Sequence, residues 1–235
     1  MTKFDEIGDY DSEIPPHVHR YYLAKKMSVM VGAIRSRLGE RSLRVADLGC
    51  GTGDYVAALS DSLGGSFVVG VDFSRRQLEH ARRKYPGAAL SVADMSAVPF
   101  RDGSFDVVCA TNSIHHLPTR AAQLQAIRSA GQLLRPGGLF IVNEMNVFNP
   151  LILFYLRFIF AKRRAIDEGD EIWLDRALMT EGNRFEVVHE KFYTFVPDFS
   201  PPWFLRLMKP LDRWLDATVL ARFGAHMTII ARRTA

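Results

Sequence analysis

One change of period recurs along the first two thirds of the chain. "SLRVADLG", "SFVVGVDF", "ALSVADM", "FDVVCATN" and "LFIVNEMN" are short apolar runs rich in β-branched residues, and they read as strands. Between them, "DYVAALSDSLGG", "SRRQLEHARRKYPG" and "PTRAAQLQAIRSAGQLL" carry apolar residues at helical spacing. Ser74 caps the second of these, while Pro118 stands near the start of the third and "RPGG" follows it. Strands alternating with helices imply a parallel sheet covered on both faces. Right-handed crossovers narrow that to a doubly wound α/β sheet. The 235 residues suffice for one domain of ordinary size.

The first strand runs directly into Gly49, Gly51 and Gly53. Glycine is the costliest residue to order, and a strand end does not need three. Backbone must approach something closely here. A dinucleotide site of the usual kind wants G-x-G-x-x-G to seat a pyrophosphate on a helix N-terminus. This loop is G-x-G-x-G, with Asp47 and Asp54 beside it. Two carboxylates suit a cationic ligand better than a pyrophosphate. There is no G-x-x-x-x-G-K-[ST], so a Walker-type phosphate loop is excluded. The second strand ends at Asp72, a carboxylate placed to accept both hydroxyls of a ribose. The third ends at Asp94 and Met95, a partner for a base amine and an apolar surface. A cation, a ribose and a purine together describe S-adenosylmethionine.

"VADLGCGTG", "VVGVDFS", "ADMSAVPFRDGSFDVVCATNSIHHL" and "LLRPGGLFIVNE" occur in that order over residues 43–146. As a set they resemble the class I S-adenosylmethionine-dependent methyltransferases, especially the small-molecule group that includes the ubiquinone and menaquinone biosynthesis enzymes. The resemblance implies a Rossmann-like, mostly parallel seven-stranded sheet with an antiparallel last strand. It implies that Gly49, Gly51 and Gly53, with Cys50 inside the loop, admit the methionyl part of the cofactor, and that Asp47 lies near its amino group. Asp72 would bind the ribose, with Phe73 beside the adenine. Asp94 and Met95 would meet the adenine from its other side, and Thr111 and Asn112 would line the methionyl end. The Cys50 thiol itself reads as spacing rather than chemistry. Asp102 and Asp106, in "RDGSFD", read as turn and cap residues.

Methyl transfer to a phenol or enol needs a base near neutral pH. His116 and His115, after the fourth strand, and Glu144, at the end of the fifth, are the candidates, with His116 first. No spacing provides a third ligand for a histidine-bound metal, so none is expected. His17, His19, Tyr21 and Tyr22 lie on an N-terminal helix that, by the resemblance, folds over the cofactor as a lid across residues 1–40; Tyr10 belongs to a "YD" pair ahead of it. The position after the fourth strand reads "TNSIHH" rather than Asn/Asp-Pro-Pro-Tyr, which argues against methylation of amino groups on nucleic acid. The charge of +4 does not demand a nucleic acid either. Rival readings are a non-catalytic module that only binds the cofactor, and a protein or RNA methyltransferase.

Past residue 146 the motifs fade. "FEVVHEKFYTF" and "AHMTIIARR" read as the last strands, and helical insertions are expected at 147–182 and 196–224, as a cap over the substrate. "LILFYLRFIF" is followed by Lys162, Arg163 and Arg164, and residues 203–222 interleave Trp203, Leu207, Leu211 and Trp214 with Arg206, Lys209 and Arg213. These predict an apolar small-molecule acceptor and peripheral contact with the inner membrane face, against a plain hydrophobic cap or dimer interface. Two cysteines, Cys50 and Cys109, and a polar, acidic N-terminus predict a reduced, cytosolic chain.

Overall fold

The computed structural model describes residues 14–155, 158, 174, 176–180 and 185–234. Tyr10 and the basic cluster Lys162–Arg164 lie outside them, as does most of the 147–182 insertion.

The described strands are β1 (Arg44–Leu48), β2 (Phe67–Asp72), β3 (Ala89–Val92), β4 (Phe105–Thr111), β5 (Leu134–Met145), β6 (Phe185–Tyr193) and β7 (His226–Arg233). They form one sheet in the order β3-β2-β1-β4-β5-β7-β6. Every pairing from β3 to β5 is parallel, and β7 runs antiparallel to both β5 and β6. This is the expected doubly wound sheet with an antiparallel last strand. The described helices are α1 (Pro16–Leu38), α2 (Asp54–Ser62), α3 (Arg75–Lys84), α4 (Arg120–Leu133), α5 (Pro150–Tyr155), α6 (Arg176–Thr180) and α7 (Pro202–Asp216). None of them is long and apolar enough to cross a membrane.

Side chains alternate across a strand, so each strand feeds two cores. Ala46, Val108, Ala110, Phe140 and Val142 pack under α4 and α6. Val45, Val107, Cys109, Leu139 and Ile141 pack under α1, α2 and α3. Helix α1 contributes Met27, Met30, Ala33 and Ile34 to that second core. It is therefore a structural layer of the sheet rather than only a lid. Ser74 caps α3 as expected, its Oγ accepting from the Gln77 backbone N–H. Thr119 caps α4, accepting from the Ala122 N–H at 3.0 Å.

Two readings need correction at the opposite edge of the sheet. The fifth strand reaches further back than "LFIVNEMN": β5 begins at Leu134 and takes in "RPGG". Asp106 is a β4 residue, not a cap. Its carboxylate accepts from the Arg44 N–H and from Arg41 Nη2, both at 2.8 Å, and pairs with Arg135 at 2.6 Å. It ties the amino-terminal ends of three strands together, far from the ligand edge. Asp102 does lie in a turn.

Candidate functional site

In open parallel sheets ligands bind beyond the carboxyl ends of the strands, where the strand order reverses. Here that point lies between β1 and β4, and the glycine loop leaves β1 there. The three glycines serve different ends. A Cβ on Gly49 would lie 2.4 Å from Ser113 Cβ, and one on Gly53 would lie 3.2 Å from Ala81 Cβ. Both make room for the protein's own packing. Gly51 has φ +51° and no atom within 4 Å of where its Cβ would stand. Gly51 is the glycine that opens onto space.

Asp47 is 1% exposed, and neither carboxylate oxygen has a hydrogen-bond partner. Burial, and then the charge of Asp72, push its carboxyl up to about 7. A buried carboxylate without a partner is costly unless a ligand satisfies it. Asp72 accepts from the Gly51 N–H through Oδ2 and from the Ser74 N–H through Oδ1, each at 2.8 Å. Phe73 beside it is exposed. Asp94 is exposed as well, held by the Ser96 N–H and hydroxyl at 2.7 Å, while Met95 is buried against the loop. The edge thus offers a cation partner, a diol acceptor and an apolar flank, which fits S-adenosylmethionine. One neighbouring position departs from expectation. The Asp54 carboxylate already receives Lys84 at 2.9 Å, the Tyr85 hydroxyl, and His19 at 3.7 Å, so it braces the loop instead of facing a ligand. The Cys50 side chain sits in the core, filling the space above Gly70, and burial raises its thiol.

The carboxyl ends of β4 and β5 continue the edge beyond β1. Asn112 holds φ +49°, rare for a residue with a side chain. Its Oδ1 accepts from Lys26 Nζ at 3.1 Å, and its N–H bonds the Asn143 carbonyl at 2.9 Å. Thr111 Oγ1 accepts from Asn143 Nδ2 at 3.0 Å. The short 3-10 turn Ile114–His116 follows. His115 is buried, with Nδ1 2.5 Å from Glu144 Oε2; His116 is half-buried, its ring centroid 3.9 Å from that of His115 and its plane tilted by 50°. Glu144 is buried too, and its Oε1 has no hydrogen-bond partner.

Lys26 and His226 were not singled out in the sequence. Lys26 is 2% exposed, and burial lowers its ammonium to about 8 against an opposing pull from Glu144. His226, at the start of β7, is held well below its usual range by burial and by Lys26 and Lys25. Its ring meets Tyr22 edge-on at 4.7 Å. A signal for Lys26 existed: Val18, Tyr22, Met30 and Ile34 form a buried series at every fourth residue, and 26 is its one charged position.

A family model described as "Methyltransferase domain" matches residues 45–138. A demethylmenaquinone methyltransferase of Staphylococcus aureus is 30% identical over 187 residues, 74% of this chain and 72% of that protein. An uncharacterised 37.1 kDa transposon protein of Streptomyces fradiae is 33% identical over 144 residues; the match takes in 60% of this chain but only 39% of that longer protein. Among solved structures, a SAM-dependent methyltransferase of Thermotoga maritima superposes with a TM-score of 0.64 at 19% identity, over 93% of this chain and 91% of that one. The glycine loop, the carboxylates at the strand ends and these matches agree: the chain belongs to the class I S-adenosylmethionine-dependent methyltransferases.

Proposed function

We propose that the chain methylates a small apolar acceptor, of quinone-like, lipid-linked or other natural-product type, at oxygen or carbon, and that it works in the cytosol or at the inner membrane face. The observation that carries this reading is the buried His115–Glu144 pair at the carboxyl edge, one strand away from the glycine loop. S-adenosylmethionine supplies the methyl group. The chain's own residues hold it and manage the acceptor's proton. Asp47 offers its unpaired carboxylate to the cationic methionyl end. Gly51 leaves the space, Asp72 takes the ribose beside Phe73, and Asp94 and Met95 flank the adenine. Thr111 and Asn112 line the boundary with the acceptor.

Glu144 fixes the tautomer and orientation of His115 through Nδ1, so the other ring nitrogen takes the acceptor's proton. This geometry favours His115 over His116 as the base, with His116 packed beside it as a substrate contact. Lys26 places a positive charge by the same carboxylate, where it favours the deprotonated acceptor. The match to a demethylmenaquinone methyltransferase supports a quinone-like acceptor.

The test is transfer of labelled methyl to fractionated cell extract, comparing lipid and aqueous phases. Label is expected in the lipid phase, lost with His115→Ala and reduced less by His116→Ala. Label confined to the aqueous phase, or to protein or RNA, rejects the apolar acceptor. Full transfer by both single variants and the double variant rejects the histidine base.

A further inference from the structure

The connection from β6 to β7 leaves and re-enters the sheet at its carboxyl edge, since Tyr193 and His226 are in register there. Helix α7 carries that connection. One side of it is pinned. Asp212, fully buried, accepts from the Tyr21 hydroxyl, from Lys25 Nζ and from the Phe195 N–H at 2.5 Å. Asp216 pairs with Lys25 at 2.5 Å.

The opposite side has no cover among the described residues. Trp203, Leu207, Leu211 and Trp214 fall on one stripe by helical spacing, and they are 66%, 69%, 46% and 60% exposed. Scattered exposed leucines need no explanation, but two tryptophans and two leucines in one stripe do. Val219, just beyond the helix, is 82% exposed.

Between stripe and pinned side lies a third face, Arg206, Lys209 and Arg213. With Arg20 of α1 and Lys191 of β6 these line a cavity of about 720 Å³ between α1 and α7. Among the described residues its one lining carboxylate, Asp216, is taken by Lys25. The cavity therefore holds a surplus of positive charge, and guanidinium forks match phosphate oxygens. Basic residues flanking an aromatic and aliphatic stripe are what a helix lying in a lipid interface presents. At 15 residues α7 is about 22 Å long, too short to span the hydrocarbon core.

We propose that α7 docks the protein on an anionic membrane, with Trp203, Leu207, Leu211 and Trp214 entering the boundary between headgroups and acyl chains and the α1–α7 cavity receiving lipid phosphate. Docking this way presents the carboxyl edge of the sheet to the bilayer. Its purpose rests on the apolar-acceptor reading above, but its test does not use the acceptor.

The full chain is sedimented with vesicles of phosphatidylcholine alone and of phosphatidylcholine with phosphatidylglycerol, at low and high salt. Binding is expected to the anionic vesicles only and to weaken with salt. Arg206→Gln with Arg213→Gln should weaken it roughly fivefold per charge removed. Trp203→Ser with Trp214→Ser should weaken it at least about tenfold. All four positions are exposed, so unchanged thermal melts verify the fold of each variant. Equal binding to neutral vesicles, none to either kind, or no effect of the variants overturns the proposal. So does a dimer that depends on Trp203 and Trp214 without vesicle binding, which makes the stripe an interface between copies. A melt raised by soluble glycerophosphate without vesicle binding makes the cavity a soluble-anion site instead. Vesicle binding without label in the lipid phase rejects the acceptor reading and leaves docking standing; label in the lipid phase without vesicle binding does the reverse.

Discussion

Asp47 is the residue at which burial and ligand chemistry meet. Its carboxyl titrates at about 7 in the fold against 3.8 for the free group. Between those values the folded chain holds a proton that the unfolded chain has lost, so this group lowers stability as pH rises through that window. A cation seated beside Asp47 favours the ionised form. Cofactor binding at pH 6 should therefore release close to one proton, and affinity should rise with pH until about 7. Calorimetry in buffers of different ionisation enthalpy measures that release, and Asp47→Asn should abolish it. Binding without proton exchange at pH 6 would separate Asp47 from the ligand. Asp72 carries a different load. Asp72→Ala should weaken cofactor binding by about 1.5–3 kcal/mol through lost charge-assisted hydrogen bonds. It should also loosen the loop, because the Gly51 and Ser74 N–H groups lose their acceptor. Unchanged affinity in a folded variant removes Asp72 from the site. Both carboxylates were legible in sequence because each stands where an apolar run stops. That one is orphaned and the other partnered was not legible, since it depends on a second strand and on the turn of the glycine loop.

Among elements, the strands were the most readable and the helix contacts the least. A parallel strand buried on both faces reads as a continuous apolar run, as the burial of β2 and β4 shows, whereas β6 carries neither that mark nor a clear alternation. Helix α7 shows the limit. "KPLDRWLD" belongs to a run in which aromatic and aliphatic residues alternate with charged ones, yet Asp212 within it is fully buried. Its partners Tyr21 and Lys25 stand almost the whole chain length away, so no local pattern announces them. The same carboxylate raises the Tyr21 hydroxyl, second to burial itself. Asp212→Ala would leave the part-buried Phe195 N–H without its acceptor and Lys25 with Asp216 alone. Leaving a buried hydrogen-bonding group without its partner costs about 1–3 kcal/mol. The expected outcome is a lower melting temperature with faster amide exchange across α7 and the Thr194–Phe195 segment. Exchange rates that rise evenly over the sheet instead would mean that Asp212 is no local clamp.

For the molecule as a whole, the question is whether α1 is a cover that can be removed. By resemblance it is a lid; by packing it is one layer of a core. Its amino-terminal turns do reach the ligand edge, where Lys26 meets Asn112 and Tyr22 meets His226. Its later turns bury Met27, Met30 and Ile34 against β1, β4 and β5. Val18, Tyr22, Met27, Met30 and Ile34 are each buried, and burial of such side chains is worth about 1.5–3 kcal/mol apiece. Together that is on the order of 10 kcal/mol, as large as the net stability of an ordinary domain. One helix thus couples the site to the fold: the face that sets the charge beside Glu144 continues into the face that closes the second core. A chain beginning at residue 41 should therefore fail to fold rather than fold with an open site. Thermal unfolding followed by circular dichroism should show no cooperative transition. A cooperative melt in the shortened chain, with cofactor still bound, would make α1 a detachable lid after all.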